Sequence, residues 1–164
     1  MQVFKVGVDP QRRVPFVLLA DDEEKRLLPI WIGPFEANAI ASELRGKTYP
    51  RPLTHDLLRS VIDAVGYQLV RVAVTRLDEG TFYAEMTLVG HGQTLEIDAR
   101  PSDAIALALR TNCEIHVADD VLAENQILAD QAVEAEAQEL EKFRELLGGL
   151  QAGEESGTGP DFDS

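Results

Sequence analysis

The sequence predicts an α+β fold with a mixed, largely antiparallel sheet, three packed helices, an acidic C-terminal helix and a disordered tail. Two observations predict this class. Apolar runs of strand length follow one another with only short turns between them, which favours antiparallel pairing. Other segments carry apolar residues every three or four positions, the spacing of helices that bury one face.

The first half of the chain is predicted to form three strands and then two helices. The strands cover residues 2–9, 15–20 and 26–32. Gly33 and Pro34 begin the first helix, because proline at the first helical position loses no hydrogen bond, and Gly46 ends it. Thr54 is a favourable N-cap for a second helix over 55–65. The apolar residues expected to face the core from this helix are Leu57, Leu58, Val61, Ile62 and Val65.

The second half is predicted to contain three further strands, a third helix and a last short strand. The strands cover 68–77, 81–89 and 94–99, with glycine-containing hairpin turns between them. The third helix, 104–110, reads AIALALR and is apolar on every side, so we expect it to be buried. A final strand is expected over 114–118.

Length and charge divide the chain into three parts. The 164 residues fit one domain over 1–128, followed by an acidic helix over 129–148 and a disordered tail over 149–164. The formal net charge is −14, and residues 129–164 alone carry 10 acidic and 2 basic residues. This charge opposes nonspecific binding to nucleic acid or anionic membranes, and the acidic helix could bind a partner protein.

Composition also limits the compartment. Cys113 is the single cysteine, which excludes an intramolecular disulfide and a cysteine-based zinc cluster. No apolar run approaches the ~20 residues that cross a bilayer, and the N-terminus has no signal-peptide pattern. We therefore expect a cytoplasmic protein without a membrane partner.

Three polar clusters could carry chemistry, and each lies where a helix begins. Glu36 is near the start of the first helix, and His55 with Asp56 is at the start of the second. The richest cluster runs from Asp98 to Asp103, where Arg100 offers a bidentate donor for phosphate or carboxylate.

Each cluster also has a structural interpretation. Ser102 or Asp103 could cap the third helix, and Arg100 could pair with Asp98 or Asp56. A histidine at a helix start could be a base, a metal ligand or a solvent-facing residue. The chain has no Walker A, G-x-G-x-x-G, H-E-x-x-H or G-x-S-x-G motif.

Four runs of sequence resemble the bifunctional nuclease domain family, in the family's order and spacing. They are LPIWIGPFEANAIA at 28–41, RPLTHDLL at 51–58, GTFYAEM at 80–86 and DARPSDAIALALR at 98–110. The resemblance covers residues 2–128. The end of the chain, EKFRELL followed by Pro160-Asp161-Phe162, is also similar, but an inserted Gly/Glu-rich stretch departs from the family pattern.

The resemblance implies an α+β domain, a nuclease for DNA and RNA, a dependence on divalent metal and homo-oligomer formation. Seven positions match the family's motifs: Glu36, His55, Asp56, Asp98, Arg100, Ser102 and Asp103. Mg²⁺ or Mn²⁺ would be the metal, because both prefer oxygen ligands. The carboxylates expected to hold it are Glu36, Asp56, Asp98 and Asp103.

The leading hypothesis is therefore a phosphodiester hydrolase. Arg100 and Ser102 would bind the substrate, and His55 would transfer a proton. The residues expected to be catalytic are His55, Asp56, Arg100 and Asp103. The alternative is a non-catalytic interaction or regulatory module whose polar cluster is structural or binds a small anion. Either protein could form homo-oligomers through its sheet or the region of Trp31.

Overall fold

The computed structural model describes residues 1–128, and the α+β class is confirmed there. This part of the chain contains eight strands and four helices. Their order is β1 (Gln2–Val8), β2 (Pro15–Ala20), β3 (Arg26–Trp31), α1 (Pro34–Leu44), α2 (Thr54–Ala64), β4 (Tyr67–Asp78), β5 (Thr81–Gly90), β6 (Gln93–Ala99), α3 (Pro101–Thr111), β7 (Glu114–Val117), α4 (Asp119–Asn125) and β8 (Ile127–Leu128).

The strands form two four-stranded sheets. The first has the order β1-β2-β3-β8 and the second the order β6-β5-β4-β7. The predicted hairpins pair antiparallel, whereas β7 returns after α3 and pairs parallel with β4. A parallel pair needs a crossover connection, and α3 supplies it between β6 and β7.

Helix α3 is the centre of the core, as its all-round apolar sequence predicts. Ile105 and Leu107 are fully buried, and α3 packs against α1, α2, β4 and β5. The N-terminal ends of α1, α2 and α3 carry the predicted polar clusters. Packing of α1 and α2 on α3 therefore brings these ends within reach of one another.

The predicted orientation of α2 is wrong. Leu57, Val61 and Val65 are each about half exposed, at 57%, 48% and 57%, whereas His55 is buried. The helix is turned so that His55 and its neighbour Asp56 face polar groups of α3. This leaves four of the five predicted core residues on the surface, and only Ile62, 8% exposed, is buried as predicted. The N-cap is Leu53 instead of Thr54, and the Asp56 carboxylate accepts the Leu53 N–H at 2.8 Å.

Near the end of the described residues, helix α4 and strand β8 have no counterpart among the predicted elements. The predicted acidic helix over 129–148 and the tail over 149–164 lie outside the described residues. Within residues 1–128, no helix is long and apolar enough to span a membrane.

Candidate active site

Three of the predicted side chains are linked through Arg100. Its Nε donates to Asp103 Oδ2 at 2.7 Å, and its Nη2 donates to Glu36 Oε1 at 3.0 Å. The other oxygen of Asp103, Oδ1, lies 3.0 Å from His55 Nε2. We call Glu36, His55, Arg100 and Asp103 the Arg100 network. The structure thus assembles one residue from α1, one from α2 and two from the start of α3.

Helix starts explain the position of each member. Arg100 is the N-cap of α3, and Asp103 lies in the first turn of the same helix. Glu36 lies in the first turn of α1, and its carboxylate folds back over Gly33, where a β carbon would overlap it. Proline begins both α1 and α3, and its fixed φ stiffens these two entries.

The side chains of the Arg100 network differ in how much of each is exposed to solvent. The Arg100 side chain is 67% exposed, those of Asp103 and Glu36 are 27% and 17% exposed, and that of His55 only 10%. Arginine carries five N–H donors, of which two are used within residues 1–128. Arg100 is therefore the member that can still bind an anion from solvent.

Electrostatics fix the charge of Asp103 and the tautomer of His55. Burial alone would raise the pKa of Asp103, but hydrogen bonds from Arg100 and His55 outweigh it and hold the pKa below its usual value. Asp103 is therefore an ionised acceptor at neutral pH. Consequently His55 Nε2 must carry the hydrogen of their bond, and Nδ1 is the acceptor atom of the ring in its neutral form.

Asp56 belongs to a separate ion pair that the sequence did not indicate. Its Oδ1 accepts Arg110 Nε at 2.6 Å, and the Arg110 side chain is only 3% exposed. Arg110 also donates to the carbonyl oxygens of Ala106 at 2.8 Å and Ala39 at 3.3 Å. The pair therefore joins α1, α2 and α3. The one available signal was an arginine at the end of an otherwise apolar helix.

Asp98 does not join the Arg100 network. It lies on the exposed face of β6, opposite Glu85 of β5. Strand alternation explains this, because neighbouring Ala99 points to the other face. The four carboxylates predicted to bind metal are thus not assembled. Among residues 1–128, no three His, Cys, Asp or Glu side chains are placed to share a metal ion.

A cleft borders the Arg100 network. Its volume is about 810 Å³, and Arg100 and Ser102 contribute to its wall together with Trp31 and Arg12. The described lining does not include His55, Asp103 or Glu36. Among the described residues, Arg100 is therefore the one member of the network that borders the cleft. Ser102 is 6% exposed.

The two half-buried carboxylates, Asp56 and Asp103, give a pH prediction. Burial raises the pKa of Asp56, but hydrogen bonds from Arg110 and Leu53 outweigh this effect, so both Asp56 and Asp103 have lowered pKa values. A lowered pKa stabilises the fold above the unfolded value near ~3.9, and this contribution disappears as pH falls through the folded value. We expect the free energy of unfolding to fall below about pH 4, less steeply in Asp56→Asn than in wild type. Urea titrations at several pH values measure both slopes, and equal slopes would refute the assignment.

Comparison with known proteins identifies the family. The profile of the Bifunctional nuclease domain matches residues 17–130, which include every member of the Arg100 network. The chain therefore belongs to the bifunctional nuclease domain family.

Its relatives include bacterial and plant proteins. A Mycobacterium tuberculosis protein named Uncharacterized protein Rv1829 is 41% identical over 153 residues, covering 90% of this chain and 92% of that one. Bifunctional nuclease 2 of Oryza sativa subsp. japonica is 31% identical over 104 residues, covering 62% of this chain and 32% of the rice protein. Bifunctional nuclease 1 of Oryza sativa subsp. indica is 27% identical over 124 residues, covering 74% and 38%. The chain thus corresponds to about a third of each rice protein.

Proposed function

We propose that this protein is a nuclease that hydrolyses phosphodiester bonds of DNA and RNA, with the Arg100 network as its catalytic centre. One observation carries the proposal. An exposed arginine, held by two carboxylates and adjacent to a His–Asp pair, lies at the wall of an open cleft. Membership of a family whose plant relatives are named bifunctional nucleases supports the same activity.

Each side chain of the Arg100 network has its own role in the proposed reaction. Arg100 binds the phosphate and stabilises the charge that develops on its oxygens. His55 Nδ1 takes a proton from water as the water oxygen bonds to phosphorus, and solvent water gives a proton to the leaving oxygen as its bond to phosphorus breaks. Asp103 holds His55 in the required tautomer, and Glu36 fixes Arg100. Asp56 is assigned a positioning role, because Arg110 and Leu53 occupy both its oxygens.

Dependence on Mg²⁺ or Mn²⁺ stays a prediction. The described residues do not provide the predicted set of four carboxylates, since Asp98 lies apart and Asp56 is paired with Arg110. We therefore assign no catalytic step to a metal ion. The cytoplasmic location, the homo-oligomer and a protein partner for the acidic C-terminal segment also remain predictions.

The test is hydrolysis of single- and double-stranded DNA and RNA by pure protein with Mg²⁺, with Mn²⁺ or with chelator. Asp103→Asn is the matched control, because it keeps the shape of the side chain and removes its charge. We expect wild type to cleave and the variant to cleave at least 100-fold more slowly. Loss of the correct orientation of a catalytic group can lower the rate by a factor of this size. Equal rates would reveal a contaminating nuclease and contradict the proposal.

Gly33 gives a second test, independent of charge. Its φ of −74° suits any residue, but a β carbon there would displace the Glu36 carboxylate, the flexible end of that side chain. Because Gly33 is the N-cap of α1 and alanine is disfavoured there, we expect Gly33→Ala to destabilise the fold by no more than about 1 kcal/mol, and to slow hydrolysis up to about 100-fold by releasing Arg100. Thermal melts and cleavage rates measure this, with Glu36→Ala alongside. A Gly33→Ala enzyme that cleaves at the full rate while Glu36→Ala is slow would contradict the contact.

The rival function is a non-catalytic module in which the same groups are structural. Its support is specific: only 10% of the His55 side chain is exposed, and each carboxylate of the network has a partner. In that case single- and double-stranded DNA and RNA all stay intact with Mg²⁺, with Mn²⁺ and with chelator.

A further inference from the structure

We propose that the cleft beside Arg100 binds one unpaired nucleotide of a single strand, with its base on Trp31 and Arg12 and its phosphate at Arg100 and Ser102. The inference rests on the proposed nuclease function and adds the form of the substrate: a single strand or a frayed end. Four observations lead to it.

The charge of the cleft differs from that of the protein. The chain as a whole carries a formal net charge of −14. Among residues 1–128, the wall nevertheless contains two arginines, Arg12 and Arg100, and no aspartate or glutamate. Their carboxylate partners Asp9, Glu36 and Asp103 lie outside this lining, so the described wall presents arginine N–H groups to an anionic ligand.

The wall also contains an exposed aromatic ring. Trp31, at the end of β3, is 43% exposed, and the guanidinium of Arg12 lies 4.7 Å from the centre of its ring. Aromatic rings with an adjacent arginine are a common platform for nucleic-acid bases.

The turn between β1 and β2 holds Arg12 in place before any ligand binds. Asp9 Oδ1 accepts the backbone N–H groups of Gln11 and Arg12, each at 2.9 Å. The other oxygen of Asp9, Oδ2, lies 3.9 Å from Arg12 Nε. One carboxylate therefore fixes the turn and the arginine that lies over Trp31, which lowers the entropy lost on binding.

The same wall offers unused donors for a phosphate. Arg100 has N–H groups without partners among the described residues, and Ser102 lines the same cleft. The volume of about 810 Å³ lies within the range of roughly 300–1,000 Å³ for small-ligand sites. A duplex is excluded as the direct occupant, since a base must leave its stack to lie on Trp31.

Trp31 is the single tryptophan of the chain, so its fluorescence reports on this cleft. The probe is a five-nucleotide oligodeoxythymidylate with phosphorothioate linkages, which resist hydrolysis, in the presence of chelator. We expect saturable quenching by the single strand and at least tenfold weaker binding of the corresponding duplex. No change in fluorescence on adding the single strand would overturn the inference.

Variants of the protein locate the site. Their binding is measured by the fluorescence anisotropy of the same oligonucleotide carrying a fluorescein label. Trp31→Ala should weaken binding about 5- to 150-fold, the equivalent of the ~1–3 kcal/mol that stacking of one base contributes. The control is Phe4→Ala, an exposed aromatic outside the cleft. Arg12→Ala should also weaken binding, unlike Arg76→Ala, which removes a similar arginine stacked on Tyr83. Wild-type affinity in Trp31→Ala and Arg12→Ala would overturn the inference.

The binding and cleavage results separate the two proposals. Cleavage by wild type with undiminished binding in Trp31→Ala refutes the nucleotide site and leaves the nuclease intact. Binding that depends on Trp31, in a protein that cleaves nothing, supports the site and refutes the nuclease.

Discussion

Replacing Asp56 by alanine is expected to destabilise the folded protein by about 3 kcal/mol, the largest stability effect we predict. The change leaves the guanidinium of Arg110, only 3% exposed, without its closest acidic partner. Breaking a buried ion pair typically costs about 3–5 kcal/mol. We choose the lower end because Glu43 remains 3.9 Å from Arg110 Nε. Urea unfolding at neutral pH measures the difference.

Asp63→Ala is the matched control, because Asp63 lies in the same helix and pairs with Arg59 on the surface, where both side chains are about half exposed. We expect it to change stability by less than about 0.5 kcal/mol. Adding Arg110→Met to Asp56→Ala should restore part of the loss, because an apolar side chain leaves no unpaired charge. If Asp56→Ala lowers the free energy of unfolding no more than Asp63→Ala does, the structural role of Asp56 is contradicted.

Replacing Arg100 by alanine is expected to lower kcat/KM for nucleic-acid hydrolysis about 10²–10³-fold, the cost of removing one donor that stabilises transition-state charge. Stability should change by less than about 1 kcal/mol, because the Arg100 side chain is 67% exposed and exposed ion pairs contribute little. Cleavage kinetics and thermal melts on the same preparation measure both effects.

Arg59→Ala is the control for loss of one surface positive charge. Arg59 is 52% exposed and lies outside the Arg100 network and the cleft. It should cleave at the wild-type rate. If the Arg100→Ala protein loses stability but cleaves at the wild-type rate, the role of Arg100 is purely structural.

Much of the fold could be predicted because its signals are local. Turn residues separate the strands of each hairpin, and the apolar sequence of α3 shows that it is buried on all sides. The convergence of Glu36, His55, Arg100 and Asp103 was also predictable in part, because each lies where a helix begins.

Long-range pairing explains what could not be predicted. The apolar stripe of α2 suggested a core face, yet the ion pair between Asp56 and Arg110 turns the other side inward. Nothing within either helix identifies a partner 54 positions away. Asp98 lies apart from the Arg100 network for a different reason, since one step along a strand reverses the direction of a side chain.

The most direct test of the Arg100 network as a catalytic centre compares two histidine variants in one cleavage assay. His55→Ala removes the ring bound to Asp103, whereas His116→Ala removes a 43% exposed ring that pairs with Glu114. We predict wild-type cleavage of DNA and RNA by His116→Ala and a loss of about 10²–10⁴-fold in folded His55→Ala. Cleavage by His55→Ala at the rate of His116→Ala would contradict the account.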